Sequence, residues 1–108
     1  MPASVTLRCG NWVADGVVVA TSFGGRLTGI RNPDAAGVLL HTGSVHGWGI
    51  RSPLRLVYLS RSGEVIGGGL LAPRRIARSR SYWVLELPLS IPAPPTGARL
   101  TVLPCSPA

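Results

Sequence analysis

The chain has 108 residues, a hydrophobic fraction of 45% and a mean hydropathy of +0.31. These values fit one ordered domain with a real core and exclude a disordered chain. Eleven positive charges against four acids give +7 at pH 7, and every positive residue is an arginine. Fourteen Gly and ten Pro disfavour long helices and favour short strands joined by turns.

In chain order, Val5–Cys9 alternates with period two and reads as a strand with Val5, Leu7 and Cys9 on one face. Asn11–Gly16 reads as a turn, with Asp15-Gly16 as its hairpin signal. A short buried strand follows at Val17–Ala20. Thr21-Ser22 caps a short helix over Phe23–Ile30, weakened by Gly24-Gly25 at roughly 1 kcal/mol per glycine. Asn32-Pro33-Asp34 is a turn, and strands are expected at Val38–His41 and Ser44–Ile50.

Leu54–Leu59 is the most strand-like run. Ser60–Gly63 closes it, with Gly63 suited to a positive φ, and Glu64–Leu71 returns to make a hairpin. Gly67-Gly68-Gly69 precedes apolar residues and a Pro where a phosphate loop would precede a helix, so it marks a bulge or a close backbone approach. Ala72–Ser81 reads as a basic loop, Tyr82–Leu87 as a strand ended by Pro88, Ile91–Gly97 as an extended Pro-rich segment and Arg99–Leu103 as the last strand. This spacing predicts one mainly β domain over residues 1–108, an antiparallel β-sandwich or barrel-like sheet with one short helix.

No apolar run reaches the ~20 residues of a membrane span, and no secretory signal is visible at the N-terminus, so a cytoplasmic location is expected. Cys9 and Cys105 lie near opposite ends and outside any metal-ligand spacing. Neither zinc nor another cofactor is expected, and two thiols are expected rather than a bridge, which pairing of the first and last strands would allow.

Several segments, taken together in order, resemble the bacterial and archaeal family called domain of unknown function 192. Arg26-Leu27-Thr28-Gly29-Ile30 matches its Arg-x-x-Gly-Leu element, and Gly37-Val38-Leu39-Leu40 its Gly-x-Leu-Leu element. Val45-His46, Trp48-Gly49-Ile50-Arg51, Pro53 and Val57-Tyr58-Leu59 match its longest motif, Gly63-Glu64-Val65 its turn, and Val84-Leu85-Glu86-Leu87-Pro88 its closing strand. The resemblance spans about residues 17–103. Arg55, Ser60 and Ala98 stand where members carry aspartates, and Leu89 where a glycine is usual. The resemblance therefore implies a divergent member that has lost acidic groups, from a family that brings no assigned activity.

Three functional expectations follow. The first is a non-enzymatic binding or accessory domain with a cationic surface, taking an anionic ligand or protein partner around His46, Trp48, Arg51, Arg55 and Glu86. Glu86 shares an apolar strand face, and a carboxylate there needs a partner, with Arg55, Arg51 or Arg26 available. The second is an enzyme on anionic small molecules using His46 with an arginine clamp. The third is non-specific nucleic-acid binding through Arg74, Arg75, Arg78 and Arg80. No nucleophile elbow or paired carboxylates are present, so no catalytic residue is assigned.

Overall fold

A computed structural model describes residues 3–104. Seven strands form one strongly curved sheet: β1 (Ala3–Cys9), β2 (Trp12–Ala20), β3 (Gly37–Leu40), β5 (Leu54–Leu59), β6 (Val65–Leu71), β8 (Trp83–Pro88) and β9 (Thr101–Pro104). Two more, β4 (Ser44–His46) and β7 (Ile76–Arg78), pair as a separate ribbon, and α1 (Phe23–Arg31) is the single helix among the described residues. The sheet order is β6-β5-β8-β3-β2-β1-β9. The fold is thus mainly β with one short helix.

The sheet is mixed where an antiparallel one was expected. β2 and β3 run parallel because α1 connects them as a crossover, whereas a tight turn would have reversed the chain. The helix starts at Ser22, whose hydroxyl accepts the Gly25 N–H at 3.0 Å. It lies close on the sheet because Gly29 has no side chain; a Cβ there would sit 2.8 Å from Val38 Cγ2.

Strand alternation gives the sheet two apolar faces. Leu7, Val17, Leu39, Val57, Leu59, Leu85 and Leu87 pack together on one side. The other carries Leu56, Leu71 and Val84, packed against Val45 and Ile50 and flanked by Ile30 of α1. The first side is the inside of an incomplete barrel. The segment before β9 closes it against the start of β6, through Val65 N–H to Ala98 O at 2.8 Å and Leu100 N–H to Gly63 O at 2.9 Å. Trp12 Nε1 donates to Pro92 O at 2.7 Å and ties the Pro-rich segment to the same barrel.

Four local expectations are corrected. The first hairpin turns at Gly10–Asn11, since Cys9 pairs with Trp12; Gly16, at φ 83°, belongs to a bulge inside β2. The strand expected over Ser44–Ile50 ends at His46, because the backbone turns through Gly49 at φ 88°. The basic segment is not all loop, since β7 pairs with β4. The last strand begins at Thr101, two residues late, because Ala98 and Leu100 are committed to the barrel closure. The triple glycine does follow a bulge, and the Tyr58 side chain lies over Gly67 and Gly69, its ring 3.7 Å and its hydroxyl 3.9 Å from where their Cβ atoms would be. Cys9 is a half-buried free thiol on β1, and Cys105 lies outside the described residues.

Candidate functional site

Arg26 sits three residues before Gly29, on the helix face that meets the sheet. Glu86 lies across from Val38 and Leu56 on the same sheet face. The two meet in a two-point ion pair, Arg26 Nε to Glu86 Oε1 at 2.8 Å and Nη2 to Oε2 at 2.6 Å, with residue exposures of 3% and 1%. Nη2 also donates to His46 O at 2.6 Å, which fastens the end of β4 to the helix. Nη1 is buried and has no hydrogen-bond partner among the described residues. Leaving such a donor unsatisfied costs about 1–3 kcal/mol, so native proteins seldom do it without a reason.

Arg26 borders a cleft of about 460 Å³. Its walls are Ala20 and Leu40, which end the two parallel strands, Thr21 and Ser22 at the helix start, and Ser44–His46 of β4. Crevices beyond the carboxyl ends of parallel strands, next to a helix N-terminus, are where mixed α/β architectures seat ligands. His41 stands at the rim, with its ring stacked on Tyr82 at 4.1 Å between centroids and tilted to Trp83 at 5.0 Å. Among the described residues, no acidic one lines the cleft.

The five residues expected to form one ligand site do not converge. Glu86 pairs with Arg26, not with Arg55 or Arg51. Arg55 is opposite Leu87, one step out of phase with Glu86, so its side chain leaves the other face of the sheet. There Nε donates to Ile91 O at 2.9 Å and Nη2 to Leu89 O at 3.3 Å, which makes Arg55 a clasp for the turn after β8. Arg51 is exposed and borders a separate depression with Arg31 and Gly49. His46 and Trp48 do stay together: Nδ1 of His46 accepts the Trp48 N–H at 3.2 Å, and the rings meet edge-on at 5.5 Å. The expected pairing of His46 with an Arg51 and Arg55 clamp is therefore not assembled. Among the described residues, no group of three or more His, Cys, Asp or Glu is placed to hold a metal ion.

The basic segment forms a second candidate surface. In the β4–β7 ribbon, Val45 and Ala77 pair and pack inward, which leaves the Ser44–Arg78 and His46–Ile76 pairs on the outer face. The turn before β7 is locked to Gly47, with Arg74 N–H to Gly47 O at 3.0 Å and Gly47 N–H to Arg75 O at 2.7 Å. A Cβ on Gly47 would come within 2.1 Å of Ala72 O, so only glycine fits. Arg74 has φ 62°, while the five other positive-φ positions among the described residues are all glycine.

Arg74, Arg75, Arg78 and Arg80 are all exposed, and Trp48, the residue after Gly47, is 48% exposed beside that turn. The four acids lie elsewhere. Asp15 takes the Thr6 hydroxyl on the first hairpin, Asp34 is in the turn after α1, Glu64 pairs through its backbone with Arg99 at the barrel closure, and Glu86 is spent on Arg26. Sequence reasoning found the arginines and Trp48 separately, but nothing local shows that Gly47 brings them side by side. It also missed Thr21, Ser22 and His41 as cleft residues; the capping signal at Ser22 was the one available clue.

No family model and no curated protein matches the chain. A solved structure does: a protein of Sinorhizobium meliloti 1021 provisionally described as a transcription regulator, with a TM-score of 0.63, 20% identity and 94% of each chain covered. At that identity the likeness establishes a shared fold. Among the described residues, no helix is long and apolar enough to cross a membrane.

Proposed function

We propose that this protein is a non-enzymatic binding domain whose β4–β7 ribbon engages an anionic polymer, single-stranded nucleic acid being the class that fits. The observation that carries this reading is Arg74 at φ 62°. An L-residue in the left-handed region costs about 1–2 kcal/mol, which the chain avoids at every other such described position by using glycine. Strain kept at one exposed arginine points to a use for its side chain.

Three further features support the reading. Arg75, Arg78 and Arg80 extend the same charged surface, and guanidinium groups make two-point contacts to phosphate. Trp48 offers an exposed ring to an unpaired base. Among the described residues, none of these arginines is in an ion pair with a carboxylate. The neighbour described as a transcription regulator points in the same direction, although it contributes only a fold. Divergent membership of the domain of unknown function 192 family remains part of this proposal. Arg26, His46 and Glu86, drawn from three separate motifs of that resemblance, meet at one buried junction.

The test is a salt titration of binding to a labelled oligothymidylate. Four phosphate contacts predict that log Kobs falls with log salt at a slope of about −2 to −3, and that replacing the four arginines by serine flattens it. A slope near zero, or an unchanged slope in the serine variant, contradicts the proposal.

A further inference from the structure

We infer that the open end of the barrel binds a medium-chain carboxylate, a fatty acid whose tail enters the core and whose head meets Arg61. This site is separate from the arginine ribbon. The two ends of the barrel are built differently. At the end where β2 starts, Trp12 donates to Pro92 O, and Trp12 and Ile91 pack onto the core, so the chain stoppers its own interior. At the end where β2, β3 and β5 finish, a cavity of about 300 Å³ runs in from the surface. Leu7, Leu39 and Leu59 are its buried floor, and Val5, Val19 and Trp83 stand half-buried around it.

The cavity exists because the two edges of the sheet part. They are tied by Val65 N–H to Ala98 O and by Leu100 N–H to Gly63 O, but from Thr101 onward β9 pairs with β1 alone among the described strands. Val102 lies opposite the inward-facing Leu7 and lines the cavity, yet it is 58% exposed, because no strand covers its other side.

The lining selects the ligand. Its walls are apolar strand residues, and among the described residues its only charged or hydroxyl-bearing side chains are Arg61 and Ser62, both exposed in the turn between β5 and β6. The Arg61 guanidinium lies over the Tyr82 ring, 5.8 Å from its centroid, and no carboxylate pairs with it among the described residues. Contact through the ring face leaves guanidinium N–H donors for a carboxylate. Glu64, the acid of that turn, neighbours the inward-facing Val65 and does not line the cavity. One cation at the mouth of an apolar hole matches one anionic head on one tail. A volume of about 300 Å³ is at the small end for ligand cavities, which suits a medium chain over a long-chain lipid.

The test is a methyl NMR titration of the full chain with hexanoate, octanoate and decanoate, read at Val5, Val19, Leu39, Leu59 and Val102. Saturable shifts are expected at these methyls, with affinity rising about fourfold for each methylene buried until the tail fills the cavity. Decyltrimethylammonium, with a comparable tail and the opposite charge, is expected to bind about tenfold more weakly than decanoate, and Arg61→Gln should close most of that gap. Val102→Trp, at an exposed rim position, should block the cavity and abolish the shifts while the urea midpoint stays unchanged. Oligothymidylate should leave the same methyls unmoved. No saturable shift up to about 5 mM decanoate, equal binding of the cationic amphiphile, or wild-type decanoate affinity in either Arg61→Gln or Val102→Trp would each overturn the inference. So would shifts of these methyls on dilution of the protein alone, which would mark a second copy of the chain as the occupant.

Discussion

Two groups of arginines in this small domain show how differently one side chain can be used. Arg26 is sealed between helix and sheet, doubly bonded to Glu86, and holds the helix, β8 and the end of β4 in one arrangement. Arg74, Arg75, Arg78 and Arg80 stand in water on a two-stranded ribbon. The buried arginine needs its one carboxylate, since burying a lone charge is prohibitive. The exposed ones need no partner for stability, so their arrangement is open to be shaped by binding.

The largest expected effect breaks the buried member of this comparison. Glu86→Ala leaves Arg26 charged and unpaired, and should destabilise the fold by about 3–5 kcal/mol in a urea melt. The double change Arg26→Met with Glu86→Leu should recover most of that loss, because an apolar pair of similar volume removes both desolvation penalties. A double variant as unstable as the single one would show that the pair does more than satisfy itself. Gly47→Ala tests the junction between the regions. Its Cβ would meet Ala72 O, so a loss of about 1–3 kcal/mol is expected, together with weaker oligothymidylate binding as the Arg74 turn is displaced. Ser22→Ala removes the helix cap and should cost about 1 kcal/mol, read as a fall in melting temperature. The smallest change is at the exposed ribbon: Arg78→Ala should stay within about 0.5 kcal/mol of wild type in stability while still weakening binding.

The same contrast decides what was legible in the sequence. Elements specified by local chemistry could be read: Leu54–Leu59 from its apolar run, the helix start from Thr21-Ser22, and the turn at Gly63, which does adopt φ 88°. Contacts between distant segments could not. Arg26 and Glu86 are 60 residues apart, and period-two alternation gave Glu86 three candidate arginines with no means of choosing among them. The choice depends on the parallel β2–α1–β3 crossover, which lays α1 over the Glu86 face of the sheet. Alternation was also carried too far at Ser44–Ile50, where Gly49 turns the backbone and leaves Trp48 beside the arginine turn. Of the ribbon's two strands, β7 alone falls in the expected loop, because three residues, Ile76–Arg78, are too few for a periodic signal.

The account stands or falls on Arg74→Gly, measured for stability and oligothymidylate affinity in the same buffer. Relief of the left-handed strain, less the greater chain entropy of glycine, should make the variant about 0.5–1 kcal/mol more stable, while its affinity drops and its salt slope shallows by about 0.7. A variant that is more stable and binds as tightly as wild type, or one that loses stability, would contradict the claim that this arginine is held in strain for the sake of an anionic partner.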